Sequence, residues 1–148
     1  MKRYGCAIAV ALLAASVGAG CGGDDDAEPL TKAEYIKQGD AICKKASADF
    51  DKQLEEKFPD NIKKPSEEQL TTLTEDVLKP NIEGQLNDLR DLTPPESDEE
   101  TLNATYDKLE TGLAKIEDDP KLLLSGEDPF AAANKEAQDY GFKECGEG

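Results

Sequence analysis

SDEETLNATYDKLETGLAKI, Ser97 to Ile116, decides the fold class. Its large apolar residues are Leu102, Tyr106, Leu109, Leu113 and Ile116, separated by steps of four, three, four and three. An α-helix turns 3.6 residues at a time, so these steps put all five side chains on one stripe, whereas a half-buried strand would alternate at every second residue. The stretch opens with Ser97 and Glu100 in capping-box spacing, where the hydroxyl and carboxylate satisfy backbone donors that a helix start leaves open. It is closed by Asp119-Pro120. From Thr31 onward the segments on either side follow the same pattern.

Upstream, Ser66 to Gln69 form a second capping box, ahead of Leu70, Leu73, Val77, Ile82, Leu86 and Leu89. Pro80 sits in the middle of that run. It lacks an N–H and collides with the carbonyl of Asp76, a cost of ~3 kcal/mol inside a helix, so a kink or short break is expected near Lys79. Pro94 and Pro95 mark a firm loop before Ser97. Nearer the start, Thr31 and Glu34 form a third box. The stripe behind it is Ile36, Cys43, Ala46, Phe50 and Leu54, with Phe58 at its edge, and Pro59 is the stop.

Downstream, Leu122, Leu123 and Leu124 form a short hydrophobic plug. Asp128-Pro129 reads as cap and first helical position of a last helix carrying Phe130, Ala133, Ala137 and Tyr140. Gly141 is placed to be its left-handed stop, turning Phe142 back onto the helix. The expectation for residues 31–148 is an all-α domain, an antiparallel bundle of about four helices with the second kinked or broken near Pro80.

The first 30 residues read differently. Lys2 and Arg3 precede the apolar run Ala7 to Val17, which at eleven residues is too short for the ~20 that a spanning helix needs. A positive start, a short apolar core and small residues before a cut are the parts of a secretory signal, expected to occupy residues 1–20. The box Gly18-Ala19-Gly20-Cys21 resembles that of bacterial lipoproteins. The resemblance implies that the Cys21 thiol carries a diacylglyceryl group and that cleavage falls just before it. Gly18 stands where such boxes usually have an aliphatic residue, and the alternative is an ordinary secretory signal with an incidental cysteine. Residues 21–30 begin with Gly-Gly and three aspartates after the cysteine, offer little to bury and read as a flexible acidic tether.

Cys6 is discarded with such a signal and Cys21 is assigned to lipid, which leaves Cys43 and Cys145. An even pair outside the cytoplasm reads as a disulfide. A loop of that length contributes ~4–5 kcal/mol in the chain-entropy model. Beyond the lipobox, Ala41-Ile42-Cys43, the run LRDLTPP (Leu89 to Pro95) and YGFKEC (Tyr140 to Cys145) resemble small actinobacterial envelope lipoproteins of unassigned function. That resemblance implies a disulfide-closed helical domain and carries over no catalytic residue and no ligand.

Charge and composition narrow the function classes. The net charge of −16 becomes −18 once Lys2 and Arg3 leave with the signal, which opposes phosphate binding and therefore nucleic acid as a partner. The chain has no histidine, the commonest catalytic base and a usual zinc ligand, and no cofactor or metal site is expected. The acidic pairs Glu55-Glu56, Glu67-Glu68, Glu75-Asp76, Glu99-Glu100 and Asp118-Asp119 fall at helix ends or on polar faces, where carboxylates complement helix dipoles. The expected role is a non-enzymatic interaction or structural one. The protein would sit on the outer face of the cell membrane, anchored through Cys21, with an envelope protein or small ligand as partner. The alternative is a small-ligand module with a cavity lined by Tyr106, Phe130 and the Leu122–Leu124 plug. Tyr35, Tyr140 and Phe142 are further aromatic candidates, and all of these except Tyr35 lie on or next to a stripe already read as buried.

Overall fold

The computed structural model describes residues 28–59 and 64–146; the expected signal segment, Cys21 and most of the tether lie outside them. Among the described residues the chain is all helical, in four rods. Helix α1 (Lys32–Lys57) opens on the expected box. Thr31 Oγ1 accepts the Glu34 N–H at 3.3 Å, and Glu34 Oε2 accepts the Thr31 N–H at 3.1 Å. Helix α2 (Glu67–Leu73) repeats it, with Gln69 Oε1 accepting the Ser66 N–H at 2.9 Å.

Pro80 does not sever the second rod. One turn of π-helix (Thr74–Leu78) follows α2, and helix α3 (Lys79–Arg90) starts with the proline in its first turn. The Lys79 N–H reaches five residues back to the Thr74 carbonyl. A wider turn absorbs one extra residue, so the rod continues although Pro80 donates nothing. It also explains a five-residue step in the apolar stripe, from Val77 to Ile82, which an unbroken α-helix would rotate off the buried face. With the π turn in place, Leu70, Val77, Ile82, Leu86 and Leu89 are all buried.

Helix α4 (Glu99–Asp118) buries Leu102, Tyr106, Leu113 and Ile116 as its period requires, with Leu109 half-buried. Its expected cap at Ser97 does not form. Asp98 occupies the cap position without a side-chain bond to the helix, because its carboxylate accepts the Tyr140 hydroxyl at 2.8 Å and the Ser97 hydroxyl at 2.9 Å. Helix α5 (Ala131–Tyr140) starts two residues later than expected, since Asp128 closes a turn by accepting the Phe130 N–H at 2.9 Å. Its end is as anticipated: Gly141 has φ +122°, and the Phe142 N–H returns to the Ala137 carbonyl at 3.0 Å, which buries the Phe142 ring.

Bonds between rods set their directions. Leu30 N–H meets the Thr93 carbonyl at 3.0 Å, Asn81 Nδ2 donates to the Ala46 carbonyl at 2.8 Å, and Lys57 pairs with Asp76 at 3.0 Å, so α1 and α2–α3 run antiparallel. Arg90 with Glu110 and Lys79 with Glu117 make α3 and α4 antiparallel. Lys108 with Glu136 and Tyr140 with Asp98 do the same for α4 and α5.

Helix α1 departs from its expected stripe. Tyr35, Gly39 and Cys43 are buried, while Ile36, Ala46, Phe50, Leu54 and Phe58 are only half-buried. The short α5 and the tail after it cover only the first part of α1, so the later residues lack a full second neighbour. Gly39 permits that covering, because a Cβ there would lie 2.5 Å from the Phe142 ring. The Asp40 carboxylate accepts the N–H groups of Lys143 and Glu144, each at 2.9 Å, and the Cys43–Cys145 disulfide follows at a Cα separation of 5.0 Å. Helix α1 and the tail after α5 are thus joined across 102 positions.

Candidate functional site

The two hairpins, α1 with α3 and α4 with α5, do not close completely on each other. Between them lies a cleft of about 170 Å³. Ile82 and Leu89 of α3 form one wall, Tyr106 and Leu109 of α4 another, and Ala133 and Ala137 of α5 a third. The disulfide and the Phe142 ring bound it where the tail crosses. Alanines leave the space: both α5 positions are buried, and a larger side chain at either would occupy it. Phe130 lies against α4 because residue 112 is glycine, where a Cβ would stand 2.6 Å from the ring and 2.7 Å from the Pro129 carbonyl.

Beneath the cleft, the Tyr106 and Tyr35 hydroxyls bond at 2.5 Å, and the Tyr35 hydroxyl also approaches the Leu89 carbonyl at 3.5 Å. Burial pushes the Tyr106 phenol far above its ordinary value, reinforced by the bond to Tyr35. Burial also raises Tyr35, against the opposing effect of its bond to Tyr106, and raises Tyr140, where the Asp98 carboxylate adds to it. These phenols hold their protons at neutral pH and act as hydrogen-bonding groups, not as bases.

Polar groups gather at the rim. Thr105 is committed, donating to the Thr101 carbonyl at 3.0 Å. Ser47, Gln85, Asn134 and Glu144 also line the cleft, and Glu144 is its one charged residue. The Glu144 carboxylate faces the Lys44 ammonium at 3.9 Å, with both side chains well exposed. Such a pair is weak, of order 0–1 kcal/mol.

The structure brings Tyr106 and Phe130 together as anticipated, but not with the leucine plug. Leu122 to Leu124 form a 3₁₀ turn (Pro120–Leu124) packed toward α2, tied there by Lys121 and Glu67 at 2.6 Å, and Leu124 is exposed. The cause is the antiparallel return of α4, which delivers its far end to the start of α2 and away from the disulfide. Tyr35 and Tyr140 belong to the core, not to the cleft lining. Cys43 and Cys145, read as a cross-link only, turn out also to border the cleft. Gln85, Asn134 and Glu144 were not singled out; the available signal was the alanine spacing on α5, which places small side chains opposite aromatic ones.

The remaining acids are dispersed. All five acidic pairs are exposed at both members. Among the described residues, no three Asp, Glu or Cys side chains converge as a metal site, and no helix is long and apolar enough to cross a membrane. No protein-family model, no curated protein and no solved structure matches the chain.

Proposed function

We propose that this is an exported lipoprotein, held on the outer face of the cytoplasmic membrane by acyl groups on Cys21, whose helical domain works by binding and not by catalysis. The observation that carries the reading is the bridge from Cys43 to Cys145. Such cross-links persist in oxidising compartments outside the cytoplasm, which agrees with a secretory start followed by a lipobox-like cysteine. Two or more acyl chains make a stable anchor where one is marginal. The tether would enter the domain at Leu30, bonded to Thr93 beside the start of α1. Dispersed, exposed carboxylates and protonated phenols favour a binding role over acid–base chemistry.

Membrane fractionation of wild type and Cys21→Ser, with mass spectrometry of the N-terminal peptide, tests this. Wild type should sediment with membranes and begin at a diacylated Cys21, and the variant should be released with unchanged melting. Retention of the variant, or an unlipidated mature start elsewhere, overturns the anchor.

A second reading, a small-ligand module, is favoured by the cleft beside the disulfide. A thermal-shift panel of small apolar and cationic compounds tests it, and no shift across the panel removes it.

A further inference from the structure

The cleft, taken with its charge, specifies what could fill it. Its volume of about 170 Å³ is close to the ~150 Å³ of an apolar cavity that accommodates one benzene ring, and below the ~300–1,000 Å³ of sites for drug-sized molecules. That matches a single ring or a short alkyl body in the part of the cleft the side chains enclose. The lining presents Phe130, Phe142 and Tyr106, the last with Arg90 already 5.8 Å from its ring centroid, and no lysine or arginine lines the cleft itself. A cation is attracted to aromatic faces as well as to carboxylates, and an anion to neither.

Glu144 is also held in place. Its N–H and that of Lys143 are bonded to Asp40, and the next residue is locked in the disulfide. The backbone of Glu144 is therefore fixed beside the cleft, and its part-exposed side chain, whose present partner is the exposed Lys44 ammonium at 3.9 Å, is free to turn to another cation. Gln85, Asn134 and Ser47 add hydrogen-bonding groups around the same space.

From size, aromatic lining and this single rim carboxylate, we infer that the cleft is a site for a small organic monocation, with an apolar body of about one ring facing the aromatic residues and an ammonium group against Glu144. This rests on the second reading above and adds to it the charge and size of the ligand.

The test uses the full-length oxidised protein in detergent, titrated calorimetrically with three probes of matched size: benzylammonium, benzyl alcohol and benzoate. Benzylammonium should bind one to one and about three- to fivefold more tightly than benzyl alcohol, the difference expected of one contact to a part-exposed carboxylate, and benzoate should not bind. Glu144→Gln should bring benzylammonium down to the level of benzyl alcohol and leave the alcohol unchanged. Ser47→Trp, a change at an exposed rim position, should block both, with melting of each variant recorded to show that it folds. Equal binding of the alcohol and the ammonium overturns the monocation assignment while leaving a neutral-ligand module standing. No binding by any probe overturns both. An ammonium preference that survives Glu144→Gln places the cation elsewhere and overturns the site.

Discussion

Thr74 is completely buried in the π turn, and its hydroxyl is the one buried side-chain polar atom without a partner among the described residues. An unpaired buried hydroxyl costs ~1–3 kcal/mol, and a methyl of the same shape removes that cost. Thr74→Val should therefore raise stability by about 1 kcal/mol, read as a higher denaturant midpoint at unchanged slope. A second residue-scale device is Asp98. The Tyr140 hydroxyl, then the Ser97 hydroxyl, hold its carboxyl below the ordinary value of 3.8. A depressed carboxylate adds stability that is present above its unfolded pKa and lost as pH falls through the folded one. Asp98→Asn should accordingly melt below wild type at pH 6–7, and the gap should close as pH drops below about 3.8. A gap of constant size down to pH 2 would mean that the charge contributes nothing.

At the scale of elements, glycine decides how closely helices approach. Gly112 on α4 leaves room for the Phe130 ring and the Pro129 carbonyl, and that carbonyl, 2.7 Å from where a Cβ on residue 112 would stand, belongs to backbone that cannot swing aside. Gly112→Ala should cost about 1–3 kcal/mol through overpacking, measurable as a lowered denaturant midpoint. The π turn belongs to this scale too. Proline chemistry announced a disturbance near Lys79, but whether the helix would break, bend or widen depended on what lay inside it. Keeping Val77 and Ile82 on the same buried face required the wide turn. Likewise Ser97 has the spacing of a cap, yet the buried phenol of Tyr140 took Asp98 for a partner and the box was not made. Local hydrogen-bonding preference yields where a buried polar group from a distant segment draws on the neighbouring side chain.

For the whole molecule, the disulfide is the closing contact. Cys145→Ser should destabilise the domain by about 2–5 kcal/mol, and wild type under reducing conditions should unfold at the same denaturant concentration as the variant. If both melt like the oxidised protein, the cross-link is idle. The same change frees the tail that carries Phe142 and Glu144, so the cleft and the fold are stabilised by one bond.

Helix type, the three N-terminal segment boundaries at Thr31, Ser66 and Pro94-Pro95, the Gly141 stop and the Cys43–Cys145 pairing are properties of the sequence alone. Each rests on neighbours within one or two turns, or on a cysteine count that allows one domain pairing, and no distant contact is needed to state it. What the tertiary structure decided is which face of each helix is covered. Apolar spacing alone runs the stripe of α1 through Ile36 and leaves Tyr35 off it, but packing by the tail selects the Tyr35, Gly39, Cys43 edge instead. The leucine plug and the aromatic residues are both apolar and near in sequence, and only the antiparallel return of α4 separates them by half the bundle. Of the cleft, the chain showed only Tyr106, Phe130 and the alanine spacing of α5; its remaining walls were decided by packing, because an empty space is made by the residues that fail to meet across it.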